Sequence, residues 1–355
     1  MLTDPTRHEL DFRSDNVGCV APEIMDAILR VNVGTADGYG RDDASASLQE
    51  AFSREFEAPT DVFVTATGTA ANAVSLAALT MPWGAVVCHP SAHIANAECG
   101  APEFFTGGAK LLFADGPSGR IDPDNLLHML ECAGSGFPHR VQPMALSITQ
   151  PTDLGTVYSL PHLDELCEVA RKFDLRIHMD GARFGNALAT LKCSAAEMSW
   201  RRGVDLLSYG ATKNGGMFAD AIVSFDRGLS DQIRFRLRRA GQTFSKMRYA
   251  SAQLTRHVEN GLYLRTAVRA NELAQGLVRA LAARVGMSPI YPVEANEVFL
   301  KVSDATAAGL AARNVLFHRF PENIIRLVLR WDSTEDEIAR LVAVLREITS
   351  GSELS

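Results

Sequence analysis

The 355-residue chain has no excess of basic charge: 35 Lys and Arg stand against 42 Asp and Glu, a formal net charge of -7. Without massed cations there is nothing to displace counterions from a phosphate backbone, so no nucleic-acid partner is expected. Long apolar runs are missing too. None approaches the roughly 18 residues of a membrane span, and the start, MLTDPTRHELDFRSD, lacks the apolar core of a secretory signal. No membrane partner and a cytoplasmic location are the expectation. Neither GxGxxG nor GxxxxGK(S/T) occurs, which removes the common dinucleotide and nucleoside-triphosphate cradles. Cysteine is sparse: Cys19, Cys88, Cys99, Cys132, Cys167 and Cys193 form no CxxC pair and read as buried, reduced thiols. His89 and His93 stand four apart in HPSAH, but Pro90 and the absent HExxH glutamate argue against a metal.

What is present is ordinary globular composition, 22% charged and 46% hydrophobic, at a length that suggests two domains. Strand-like and helix-like patterns alternate through the first two thirds, the signature of a mostly parallel sheet wrapped by helices. Seven strands are expected at 61–66, 85–89, 110–114, 144–149, 175–180, 204–209 and 221–225, several apolar throughout, as strands covered on both faces should be. The spacing of Leu163, Leu166, Val169, Ala170 and Phe173 predicts a helix over 161–173, entered through Ser159. From about Asp231 the pattern turns long and helical. Two late strands, 297–302 and 325–329, and a helix over 334–348 suggest a smaller α+β domain at 255–355, after a large domain spanning 1–254.

Ligands of open α/β sheets sit beyond the carboxyl ends of the strands, so the residues where strands stop carry the information. In VFVTATGTAANAV a strand runs into Gly68 and Thr69 and then a helix, whose first N–H groups favour an anion such as phosphate. In HMDGAR, Asp180 closes a strand and Arg183 follows; a carboxylate there could hold a proton on a heterocyclic nitrogen, and the arginine could steady it. In LSYGATKNGGM, Lys213 stands among glycines just past another strand, poorly placed for packing and well placed to meet a carbonyl. Each feature alone has a plain competitor: a turn, a surface ion pair, a solvated lysine. Together, an anion cradle, an aspartate and an amine meet the binding requirements of pyridoxal 5'-phosphate.

The chain resembles the threonine aldolase family of fold-type-I pyridoxal-phosphate enzymes. The stretches DFRSDNVG, DGYGRDD, TGTAAN, SAHI, HMDGARF and TKNGG carry the likeness across nearly the whole length, and PWGAVVCHPSAHI, ECGAPEFF and ATKNGG are closest to a branch with low-specificity L-threonine and phenylserine aldolases. The resemblance implies that Lys213 carries the cofactor, Asp180 pairs with its ring nitrogen, His93 stacks on the ring, and Gly68 and Thr69 bind its phosphate. It implies that Arg183 faces the ring hydroxyl and Asp180, and that Ser14 and Arg326 hold the substrate carboxylate. Arg248 would reach the phosphate of a neighbouring subunit with Tyr39 close by, making a homo-oligomer of at least two copies and commonly four. Where many members carry a histidine in a segment like NTHNG, this chain reads QPTDLG and offers Asp153, so that Asp153 or His93 would accept the β-hydroxyl proton. The implied activity is cleavage of L-threonine, L-allo-threonine or phenylserine to glycine and an aldehyde. The alternatives are β-elimination or racemisation of a hydroxy amino acid, or a silent protein that binds the cofactor or an amino acid.

Overall fold

A computed structural model describes residues 10–352. The first nine residues, on which the expectation of no secretory signal partly rests, lie outside that range. Among the described residues twelve strands are present: β1 (Leu10–Asp11), β2 (Asp61–Thr65), β3 (Gly84–Cys88), β4 (Lys110–Phe113), β5 (Gln142–Thr149), β6 (Arg176–Gly181), β7 (Leu206–Tyr209), β8 (Asp220–Ser224), β9 (Glu297–Lys301), β10 (Val315–Leu316), β11 (His318–Phe320) and β12 (Ile324–Val328). Seven of them form one sheet in the order β2-β8-β7-β6-β5-β3-β4. Only β8 runs against its neighbours; β4, β3, β5, β6 and β7 are parallel to one another. All seven expected strands of the large unit are there.

The central parallel strands are largely buried because helices cover both faces. On one face Val87, Leu146, Ile148, Ile177, Met179 and Leu207 pack beneath the helices Asp43–Glu55 and Leu160–Lys172. On the other, Val86, Ala145, Leu206 and Ile222 meet the helix Gly68–Leu79, which is buried almost all round. The expected helix after Ser159 is present, and the Ser159 hydroxyl accepts the N–H of His162, satisfying one of the donors that a helix start leaves free.

A second core gathers β9 and β12, the far half of the long helix Leu262–Arg284 and the helix Glu335–Ser352. Leu10 and Phe12 belong to this core, since β1 pairs with β10; the sequence grouped that segment with the large domain. A boundary near residue 255 would cut the helix Arg248–Val258, whereas the two cores meet along Leu262–Arg284, with Tyr263 in one and Leu273, Leu277 and Leu281 in the other. The cysteines also depart from expectation. Cys88 and Cys167 are buried and burial pushes their thiols up to about 12, but Cys19, Cys99 and Cys132 are exposed. Among the described residues no helix is long and apolar enough to cross a membrane.

Candidate active site

A cleft of about 250 Å³ opens where the large sheet's strands end, lined by Gly68, Thr69, His93, Asp153, Asp180 and Lys213 among others. Asp180 is the penultimate residue of β6, and β7, which leads to Lys213, is the adjacent parallel strand. The two groups singled out from the sequence therefore reach one space from neighbouring strand ends.

Lys213 sits in the turn Thr212–Asn214, and buried groups brace that turn on both sides. Asp220 Oδ1 accepts the N–H groups of Ala211 (2.9 Å) and Thr212 (3.0 Å). His257 lies 3.0 Å from the carbonyl of Asn214, whose side-chain amide donates to the carbonyl of Tyr263 (2.7 Å). Burial drops the His257 pKa to about 4, so the ring is neutral: Nε2–H donates to Asn214 and Nδ1 accepts the Tyr209 hydroxyl at 2.9 Å. The backbone is fixed while the amine is left over. Among the described residues the Lys213 ammonium has no hydrogen-bond or ion-pair partner.

Opposite, Thr67 caps the helix Gly68–Leu79 by accepting the N–H of Ala70, and the N–H groups of Gly68 and Thr69 find no acceptor among the described residues. A helix start with free donors is an anion site in waiting.

Asp180 is held by the N–H of Ala182 (3.0 Å) and by Asn72, whose Nδ2 donates to Asp180 Oδ2 (2.9 Å) and to Glu98 Oε1 (2.8 Å). Glu98 Oε1 is 2.8 Å from His93 Nδ1. That pair raises the pKa of His93, while burial raises that of Glu98. The Asp153 carboxylate accepts the N–H of His93 at 2.9 Å. It keeps some surface on the cleft, yet protein surrounds it, and desolvation, with Asp180 nearby, lifts its pKa to about 6.

Arg183 lines the cleft but does not pair with Asp180. Its Nε donates to Asp15 Oδ2 (2.9 Å), and its Nη2 lies 2.6 Å from the same oxygen and 3.3 Å from Glu297 Oε1. The expectation fails because Asp180 is already occupied by Asn72 and Ala182 while Asp15, far off in sequence, supplies a better-placed carboxylate. Arg326 Nη1 lies 3.2 Å from the same Glu297 Oε1. Ser14 caps the short turn that carries Asp15, accepting the N–H of Asn16. Tyr39 and Arg248 lie off the cleft: Tyr39 is 51% exposed beneath Arg238, and Arg248 donates to the carbonyl of Val33. His89 is spent on Ser91 and Gly116, and among the described residues no group of three metal-ligating side chains forms.

Sequence reasoning passed over Asp15, Asn72, Glu98, Asp220 and Glu297. Asn72 left a trace, a polar residue inside the apolar helix AANAVSLAAL, and Glu297 another, an acid opening the apolar strand EVFLK.

Free donors at a helix start, a braced aspartate and an unpaired lysine are the donor set that pyridoxal phosphate requires, and the fold is the fold-type-I architecture that binds it. The chain belongs to the beta-eliminating lyase family, whose model matches residues 11–305, and is a pyridoxal-phosphate-dependent lyase related to the threonine aldolases. It is 38% identical over 343 residues to a low specificity L-threonine aldolase of Pseudomonas aeruginosa, covering 96% of this chain and 98% of the relative. It is 37% identical over 351 residues to another from a Pseudomonas sp., covering 98% and 100%. A solved threonine aldolase of Leishmania major superposes with a TM-score of 0.88 at 26% identity, over 96% and 99% of the two chains.

Proposed function

We propose that the protein is a low-specificity threonine aldolase, cleaving L-threonine, L-allo-threonine and related β-hydroxy-α-amino acids, phenylserine included, to glycine and an aldehyde. The observation that carries this reading is the meeting of the unpaired Lys213 amine, the braced Asp180 and the ionisable Asp153 in one cleft. Pyridoxal phosphate, when bound, supplies an electron sink beside the substrate's Cα. Gly68 and Thr69 offer the N–H groups for its phosphate, Asp180 the carboxylate for its ring nitrogen, and His93 a ring beside it.

The remaining residues decide which bond breaks. Ser14 and Arg326 hold the substrate carboxylate and so set the orientation of the Cα–Cβ bond. Asp153, ionised above pH 6, accepts the proton of the β-hydroxyl, and the aldehyde departs. Tyr39, exposed, and Arg248, half-buried, both away from this cleft, serve the site of a second copy, in a homodimer or a tetramer. We place the activity in the cytoplasm, where six unpaired thiols stay reduced.

The family's description favours one rival, β-elimination from a hydroxy amino acid. Incubation of the holoenzyme with L-threonine, L-allo-threonine and phenylserine separates the two: aldehyde and glycine in equal amounts are expected. A 2-oxo acid with ammonia and no glycine would overturn the aldolase reading.

A further inference from the structure

Glu297 opens β9 and is only 1% exposed, yet it sits among charges rather than in an apolar core. Its Oε1 lies 3.3 Å from Arg183 Nη2 and 3.2 Å from Arg326 Nη1, and neither oxygen makes a well-aligned hydrogen bond. Arg183 does not depend on this contact, because Asp15 already grips it through Nε and Nη2. Arg326 does: among the described residues its polar contact apart from Glu297 is a 3.2 Å hydrogen bond to the carbonyl of Arg13, and its Nε finds no acceptor there. Two guanidinium groups and two carboxylates thus stand balanced before any substrate arrives. Burying them unbalanced would be costly.

A substrate carboxylate brings a third negative charge to this balanced group. It must compete with Glu297 for Arg326, and a loosely aligned contact is the kind that gives way. We propose that Glu297 is an internal competitor for Arg326, an affinity-setting residue that holds the arginine between turnovers and takes it back when glycine leaves. The inference rests on the reading that Arg326 receives the substrate carboxylate. Glycine retains that carboxylate after cleavage, so the same competition weakens product binding. The position is fixed from both sides. Gly155, at φ +74°, rests against Glu297, and a Cβ there would come within 3.1 Å of Glu297 Cβ, so the turn carrying Asp153 is seated on this glutamate.

The test is the dissociation constant of glycine for the holoenzyme, read from the change in the cofactor's visible absorbance. Glu297→Gln keeps the shape and removes the charge, and should tighten glycine about tenfold, with a matching fall in KM for L-threonine. Glu297→Ser, should the glutamine variant fail to fold, carries the same expectation. In an Arg326→Leu background the gain should vanish. Glycine affinity that is unchanged or weaker in both variants, or a gain that persists without Arg326, overturns the proposal. Glycine binding does not depend on which bond of a larger substrate breaks, so the absence of aldehyde from the wild-type enzyme would sink the aldolase reading while leaving this measurement intact.

Discussion

Asp153 and His93 are locked together: the carboxylate of one accepts the main-chain N–H of the other at 2.9 Å. The acid is therefore fixed relative to the ring that lines the cleft. Its pKa of about 6 suits a base that works near neutrality. As a base it must be ionised, so kcat/KM for L-threonine should hold above pH 7 and fall as pH drops through about 6. Asp153→Asn should cost roughly 10² to 10⁴ in rate and abolish that acidic limb. A variant with wild-type rates and an unchanged profile would remove Asp153 from the reaction.

The same shift bears on stability. The folded pKa lies above the ordinary 3.8, so the protonated carboxyl is the form the fold prefers, and its contribution is present below 3.8 and lost as pH rises through 6. Asp153→Asn mimics the protonated form. The cofactor-free variant should melt above the wild type at pH 8, with roughly half the gap left at pH 5 and little at pH 4. Thermal melts at the three values check this; a gap that widens toward acid would reverse the sign.

Among the described residues Lys213 has no hydrogen-bond or ion-pair partner to lose, so Lys213→Ala should leave the melting curve nearly unchanged, within about 0.5 kcal/mol. With pyridoxal phosphate added, the absorbance band near ~420 nm expected of the bound cofactor should be absent. A band that survives would show that another amine holds it.

Glu98 is what lifts the pKa of His93. Glu98→Gln should lower it, an effect visible as a shift of the His93 ring resonance titration to lower pH by NMR. An unmoved titration would mean that the 2.8 Å contact does not set the charge of the ring.

Arg248 and Tyr39 stand outside their own chain's cleft, and mixing inactive variants can test whether they serve a second one. Refolding Arg248→Ala with Lys213→Ala together should restore roughly a quarter of wild-type activity if the site is shared, since half the dimers are mixed and each holds one intact site. No recovery is expected if Arg248 acts within its own chain.

The sheet could be read because its strands show as apolar runs or, in β6, as Ile177 and Met179 alternating with Arg176 and His178, and Asp180 and Lys213 could be found because they stand just beyond the apolar residues of two neighbouring strands. The strands β1, β10 and β11 span two or three residues and carry no period. The partners within the site were harder still. Asp15 meets Arg183 across 168 positions and Asn296 across 281, and Asn72 meets Asp180 across 108; no local spacing encodes such encounters. The pairing of Arg183 with Asp180 was inferred from their nearness in HMDGAR. It failed because β6 hands Asp180 to the helix Gly68–Leu79, while Arg183, beyond the strand, turns toward Asp15.

The stretch from Leu10 to Cys19 stitches the molecule's two halves. Its first residues lie in the smaller core, Asp15 grips Arg183 at the cleft, and Cys19 receives the indole N–H of Trp331. A nick or a bulky fusion within these ten residues would loosen a suture beside the reacting groups, so damage near the amino end should be felt first as lost turnover and only later as lost shape.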